Sequence, residues 1–168
     1  DLINAYTQSK FAGEALCRTY GEIYGVPVVI LRVFNVYGPG QTAGVVPYVL
    51  NCLAEASEAV ITSPGSARDF IHVDDVVATV IAAAETETPF GVFNVGSGVA
   101  TTIADFIKVA ETASGASLDR RIDDGFSDPH KDSIADISLI GEHFNWTPKI
   151  TLQAGLGAMM GDRQKANP

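Results

Sequence analysis

The chain holds little of what usually announces a metal or redox chemistry. Its 168 residues include two cysteines, three histidines and one tryptophan. Cys17 and Cys52 stand at no metal-ligand spacing from each other or from a histidine. Both lie among apolar residues in helix-like stretches, so buried free thiols in a reducing compartment are expected. His72 reads as a strand side chain, and His130 and His143 have no partner at a useful spacing, so no metal site is expected. Cations are scarce: 11 Lys and Arg face 20 Asp and Glu, for a net charge of -9. That balance argues against nucleic acid or an anionic membrane as partner, but it allows a local basic pocket. No apolar run approaches the ~20 residues of a membrane helix, and no signal-peptide pattern is present. A cytoplasmic location is expected. The chain also lacks an initiating Met, which fits a processed product or a fragment.

What remains is an ordinary globular composition, 46% hydrophobic and 18% charged, long enough to bury a core. Residues 4–24 read as a helix with Asn4 as N-cap and an apolar face of Phe11, Ala15, Leu16 and Tyr20. Gly25-Val26-Pro27 ends it. Residues 28–34 lack strict alternation and suit a strand buried on both faces. A loop at Gly38-Pro39-Gly40, a helix over 45–58 and a short strand over 60–62 follow. A loop over 63–68 leads to a strand at 70–73. Asp74 and Asp75 open a helix to about residue 84, acids at its positive end. A strand is expected over 92–95. A helix over 102–114 opens with Thr102-x-x-Asp105, which has the form of a capping box. Two short helices, over 138–144 and 152–160, close the chain, with Trp146 and Pro148 packing the last lobe. Helix and buried strand alternate, so the fold class is α/β.

Against this background Tyr6 and Lys10 stand out. A spacing of four puts both on one helix face, about a turn apart. A phenol beside an ammonium is a better proton donor and acceptor at neutral pH than a free one, so the pair suits general acid/base work. Arg68 lies in a loop with Ser and Gly, where a guanidinium fork suits phosphate oxygens. Arg32 sits in an apolar strand and reads either as a phosphate ligand or as the partner of a buried acid. Gly96-Ser97-Gly98 follows a strand and precedes a helix, but the third fingerprint position is Thr101, so it reads as a structural turn.

The segments AYTQSKFAGE, VVILRVFNVYGPGQ, VVPYVL, ARDFIHVDDVV, VFNVGSG and FNWTPKITLQAGL follow one another along nearly the whole chain. In this order they resemble the C-terminal half of the extended short-chain dehydrogenase/reductase family, the NAD-dependent epimerase/dehydratase group acting on nucleotide sugars. The resemblance implies a single α/β unit over 1–168, half of a Rossmann-like fold with a small substrate-binding lobe. Residues 1–44 would carry the Tyr/Lys helix and a core strand. Residues 45–168 would be mostly lobe, with a returning core strand near 92–95. It makes Tyr6 the catalytic acid/base, with Lys10 activating it and bonding the nicotinamide ribose. Val33 and Phe34 would meet the nicotinamide amide. Asn35 would face the nucleotide sugar, Val45 and Val46 would touch it through their backbone, and Arg68 would grip its diphosphate.

The implied cofactor is NAD or NADP and the implied ligand a nucleotide-diphosphate sugar. The family's Gly-rich fingerprint, its ribose-reading acid and a catalytic Ser or Thr are not among these residues. Binding of the cofactor by this chain alone is therefore not expected. In place of the family's Arg-Pro-Gly-Asp stretch stands Phe126-Ser127-Asp128-Pro129-His130-Lys131, leaving Lys131, Arg120 and Arg121 as alternatives for a second phosphate ligand. The expected function is part of a nucleotide-sugar epimerase, dehydratase or 4-keto reductase. The alternative is a non-catalytic, truncated module that binds the sugar nucleotide or serves assembly. With the earlier strands missing, an unpaired strand edge predicts a homo-oligomer or association with an N-terminal half.

Overall fold

The computed structural model describes residues 4–88, 90–125 and 132–166. Helix α1 (Ala5–Tyr24) starts where Asn4 Oδ1 accepts from the Thr7 amide at 2.9 Å. It ends at Gly25, left-handed at φ 64°, whose N–H reaches the Tyr20 carbonyl. Strand β1 (Val28–Val33) follows, then β2 (Asn35–Tyr37) and helix α2 (Val45–Glu55). Short strands β3 (Ala59–Thr62), β4 (Ala67–Arg68) and β5 (Phe70–His72) lead into α3 (Val73–Glu85). Next come β6 (Phe90–Val95), β7 (Thr101–Thr102), α4 (Ile103–Ser114), β8 (Arg120–Asp123) and β9 (Asp132–Ser133). Helices α5 (Ser138–Phe144) and α6 (Leu152–Ala166) finish the described chain.

Pairing is mostly parallel and long-range. β1 lies against β6, β2 against β5, and β3 against β8, all parallel. β4 sits between antiparallel β7 and parallel β9. Two apolar clusters hold these pieces. The larger fills the lobe with Val49 and Leu50 of α2, Ile61 of β3, Phe106 and Ile107 of α4 and Leu156 of α6. The smaller gathers Ile71, Phe93, Val95, Ile140 and Trp146 beneath the β5 and β6 strands.

Several expectations need correcting. α1 forms, but none of its described residues is buried, and Phe11, Ala15, Leu16 and Tyr20 are all exposed. Cys17 is therefore exposed, while Cys52 on α2 is buried as expected. β1 is half-buried rather than buried on both faces, because among the described residues only β6 pairs with it. The α2 helix stops at Glu55, where Ala56 turns left-handed at φ 52°. α6 runs past residue 160. α3 is capped by His72, whose Nδ1 accepts from the Asp74 amide at 3.2 Å. Asp75 is no cap: its buried carboxylate accepts from the amides of Lys149 and Ile150, both at 3.0 Å. Thr102 caps α4 as its spacing predicts, accepting from the Asp105 amide at 3.0 Å.

Candidate active site

α1 and β1 are joined by a tight turn and run antiparallel. Near the turn, Arg18 stacks over the Phe90 ring at 4.9 Å, and Phe90 is level with Val28. One turn back along the helix, Glu14 grips Arg32 near the other end of β1: Arg32 Nε and Nη2 donate to its two carboxylate oxygens at 2.8 and 2.6 Å. This fork holds the Glu14 carboxyl below the usual carboxylate range. Arg32 is thus a structural partner, and its acid is half-buried rather than buried. Tyr6 lies eight residues before Glu14, about 12 Å further along the axis at helical rise. Tyr6 and Lys10 thus lie on the part of α1 beyond the Glu14–Arg32 pair, on the side of the C-terminal end of β1. In parallel sheets that is the end where ligands bind. Lys10 Nζ sits 5.4 Å from the Tyr6 ring centroid, and both residues are exposed.

The chain leaves β1 at that same end. Val33 is exposed, and the Phe34 amide donates to the Val95 carbonyl at 2.9 Å, closing the strand pair. The next residue, Asn35, enters the wall of a cleft of about 520 Å³. Val45, Val46 and Arg68 line the same cleft, so the residues expected to bind substrate converge there. Tyr6 and Lys10 do not line it. α2 begins at the cleft and its N-cap, Gly44, gives no side-chain cap, leaving the positive end of the helix facing the opening. Arg68 is half-buried, and its Nη1 donates to the Ala67 carbonyl at 2.9 Å.

Sequence reasoning missed part of this wall. Gln41, Ser63, Ser66 and Tyr48 also line the cleft, and the Tyr48 hydroxyl accepts from the Val60 amide at 2.7 Å. Tyr48 stands three positions after Val45 on one helix, a spacing that could have flagged it. Of the alternatives for a second phosphate ligand, Arg120 pairs with Glu111 at 2.9 Å and Arg121 with Glu58 at 3.8 Å. Neither borders the cleft. Lys131 and His130 lie outside the described residues. No group of His, Cys, Asp and Glu that could hold a metal ion occurs among the described residues, and no described helix is long and apolar enough to cross a membrane.

The Gly96-Ser97-Gly98 turn does not offer a phosphate cradle. Its Ser97 and Gly98 amides donate to the Asp69 carboxylate at 2.6 and 2.9 Å. This supports the reading of that stretch as a structural turn.

Comparison with known proteins bears on the family and the fold. The profile of the NAD dependent epimerase/dehydratase family matches residues 1–96. dTDP-L-rhamnose 4-epimerase of Burkholderia thailandensis is 29% identical over 93% of this chain and 45% of its own length. UDP-glucuronic acid decarboxylase 1 of Arabidopsis thaliana is 32% identical over 95% of this chain and 37% of its own length. The chain thus spans half or less of these curated relatives. Among solved structures, UDP-glucose 4-epimerase of Thermotoga maritima with UDP-glucose superposes with a TM-score of 0.90 at 28% identity, covering 97% of this chain and 54% of that one. UDP-glucuronic acid 4-epimerase of Bacillus cereus with UDP-glucuronic acid and NAD gives 0.86 at 30% identity, covering 96% and 52%.

Proposed function

Because the chain belongs to the NAD dependent epimerase/dehydratase family, we propose that it forms the proton-transfer and substrate-binding part of an enzyme acting on a nucleotide-diphosphate sugar with NAD or NADP. The carrying observation is the convergence of Asn35, Val45, Val46 and Arg68 on one cleft. The relatives' printed substrates, UDP-glucose and UDP-glucuronic acid among them, support the same class of ligand.

In this reading the Arg68 guanidinium takes the diphosphate as a bidentate fork. The positive end of α2, at Val45 and Val46, adds main-chain donors for the nucleotide. Asn35 orients the sugar. The Tyr6 phenol gives or takes a proton at a sugar hydroxyl or carbonyl, and the Lys10 ammonium stabilises the phenolate form. When bound, the nicotinamide supplies hydride exchange with the sugar carbon. The residues fit that end of the dinucleotide: Val33 and Phe34 would border its amide and Lys10 its ribose. No Gly-rich fingerprint for the pyrophosphate end stands among these residues, and the 96–98 turn does not replace it, its amides being taken by Asp69.

The test is turnover of UDP-glucose, UDP-glucuronic acid and dTDP-glucose with NAD by the protein as its host makes it. Tyr6→Phe is expected to lower kcat by about 100-fold or more while substrate still binds. Arg68→Ala is expected to act mainly on KM. Wild-type turnover in Tyr6→Phe would remove Tyr6 from the reaction. A second reading, a module that binds sugar nucleotide without turnover, is favoured by Tyr6 and Lys10 lying outside the cleft wall. Fluorescence titration with NADH separates the two, since micromolar binding by this chain contradicts the module.

A further inference from the structure

Between Arg68 and Phe70 lies Asp69, which is wholly buried and does not line the cleft. Both carboxylate oxygens are saturated. Oδ1 accepts from the Ser97 amide and from the Ser97 hydroxyl, each at 2.6 Å. Oδ2 accepts from the Gly98 amide at 2.9 Å and the Ala135 amide at 3.1 Å. A buried carboxylate without such donors would be very costly, so the cage and the acid require one another. Gly96 fits the same picture, because a Cβ there would run into Asp69 and Ala135.

The main chain of Asp69 points elsewhere. Its carbonyl accepts from the Asn35 amide at 3.1 Å and from Asn35 Nδ2 at 3.0 Å. Its own amide donates to the Ser133 carbonyl at 2.9 Å. Neighbouring side chains in an extended segment point to opposite faces, so anchoring Asp69 inward turns Arg68 outward into the cleft. One residue thereby ties the loop after β6, the segment after β9 and the β1–β2 junction to Asn35 and Arg68, two of the polar residues of the cleft.

We propose that Asp69 is a positioning residue for sugar-nucleotide binding: its carboxylate cage sets the register of Asn35 and Arg68 across the cleft. The inference rests on the reading of that cleft as the nucleotide-sugar site. It makes Ser97, which does not line that cleft, a determinant of affinity.

The experiment compares this chain with its Ser97→Ala and Asp69→Asn variants. Two quantities are read: the Asn35 side-chain amide resonances without ligand, and the calorimetric affinity for UDP-glucose. Ser97→Ala removes one donor from the cage and leaves the cleft wall intact. It is expected to shift the Asn35 resonances and weaken UDP-glucose severalfold. Asp69→Asn, which turns an amide group toward donors, is expected to weaken it by about tenfold or more. A purely structural role would lower the unfolding midpoint and leave both readouts of the folded protein unchanged. Wild-type resonances and wild-type affinity in Ser97→Ala overturn the proposal, and that variant decides alone if Asp69→Asn does not fold. If the resonances move but the unmodified chain does not bind UDP-glucose, the positioning role stands and the substrate reading falls.

Discussion

Glu14 and Arg32 show how one pair fixes the geometry of a site it does not enter. The apolar run around Arg32 left its partner open, because the acid lies eighteen residues upstream on another element. Local pattern could name Tyr6 and Lys10, which share a helix face, but not a pair made by packing. Glu14 is also the clearest source of pH dependence. Its folded-state pKa is depressed by the Arg32 fork, so its stabilisation is present above the unfolded value and is lost as pH falls through the folded one. Glu14→Gln is expected to cost about 0.5–1 kcal/mol at neutral pH. The difference should vanish in acid, once the Glu14 carboxyl is protonated in the folded protein as well. Urea unfolding of both proteins at neutral and at acid pH checks the sign. Asp69 was illegible for a related reason: its donors come from residues 97, 98 and 135.

At the scale of elements, the long helices were legible and the short strands were not. Helices α1 and α4 start where the capping residues Asn4 and Thr102 place them. β4, β7 and β9 are two residues each, and no two-residue stretch carries a period. Their existence depends on partners far along the chain. The join between α3 and α6 has the same character. Asp75 on α3 holds the amides of Lys149 and Ile150, just before α6. Asp75→Ala would leave both donors without that acceptor and is expected to cost about 2–4 kcal/mol, read by urea unfolding. Beside it, burial and the Asp75 charge push the Tyr37 phenol far above its ordinary range, so it stays neutral. Gly155 on α6 presses against that ring, with no room for a Cβ. Gly155→Ala is expected to destabilise by about 1–3 kcal/mol by the same measurement.

For the whole molecule, apolar surface is distributed unevenly. The lobe around α2, α4 and α6 is closed, whereas α1 exposes Tyr6, Phe11, Leu16, Tyr20, Ile23 and Tyr24 together. The α3 side adds Val77, Val80 and Ile81. Large apolar side chains exposed in such number on one helix mark a surface that associates. The isolated chain is expected to self-associate, and Leu16→Lys with Ile23→Lys to shift it toward monomer in sedimentation velocity. A wild-type monomer at high micromolar concentration would contradict this. The α/β class was readable because buried-strand runs and helix periods alternate along the chain. Its division into a closed lobe and an open strand pair was not, because it depends on which surfaces meet. The parallel pairings also impose an order in time. Val28 must wait for Phe90, Ala59 for Arg120 and Ala67 for Asp132. During synthesis the cleft cannot acquire its final shape until the segment carrying β9 has left the ribosome, and refolding of so non-local a chain belongs to the slow, millisecond-to-second class.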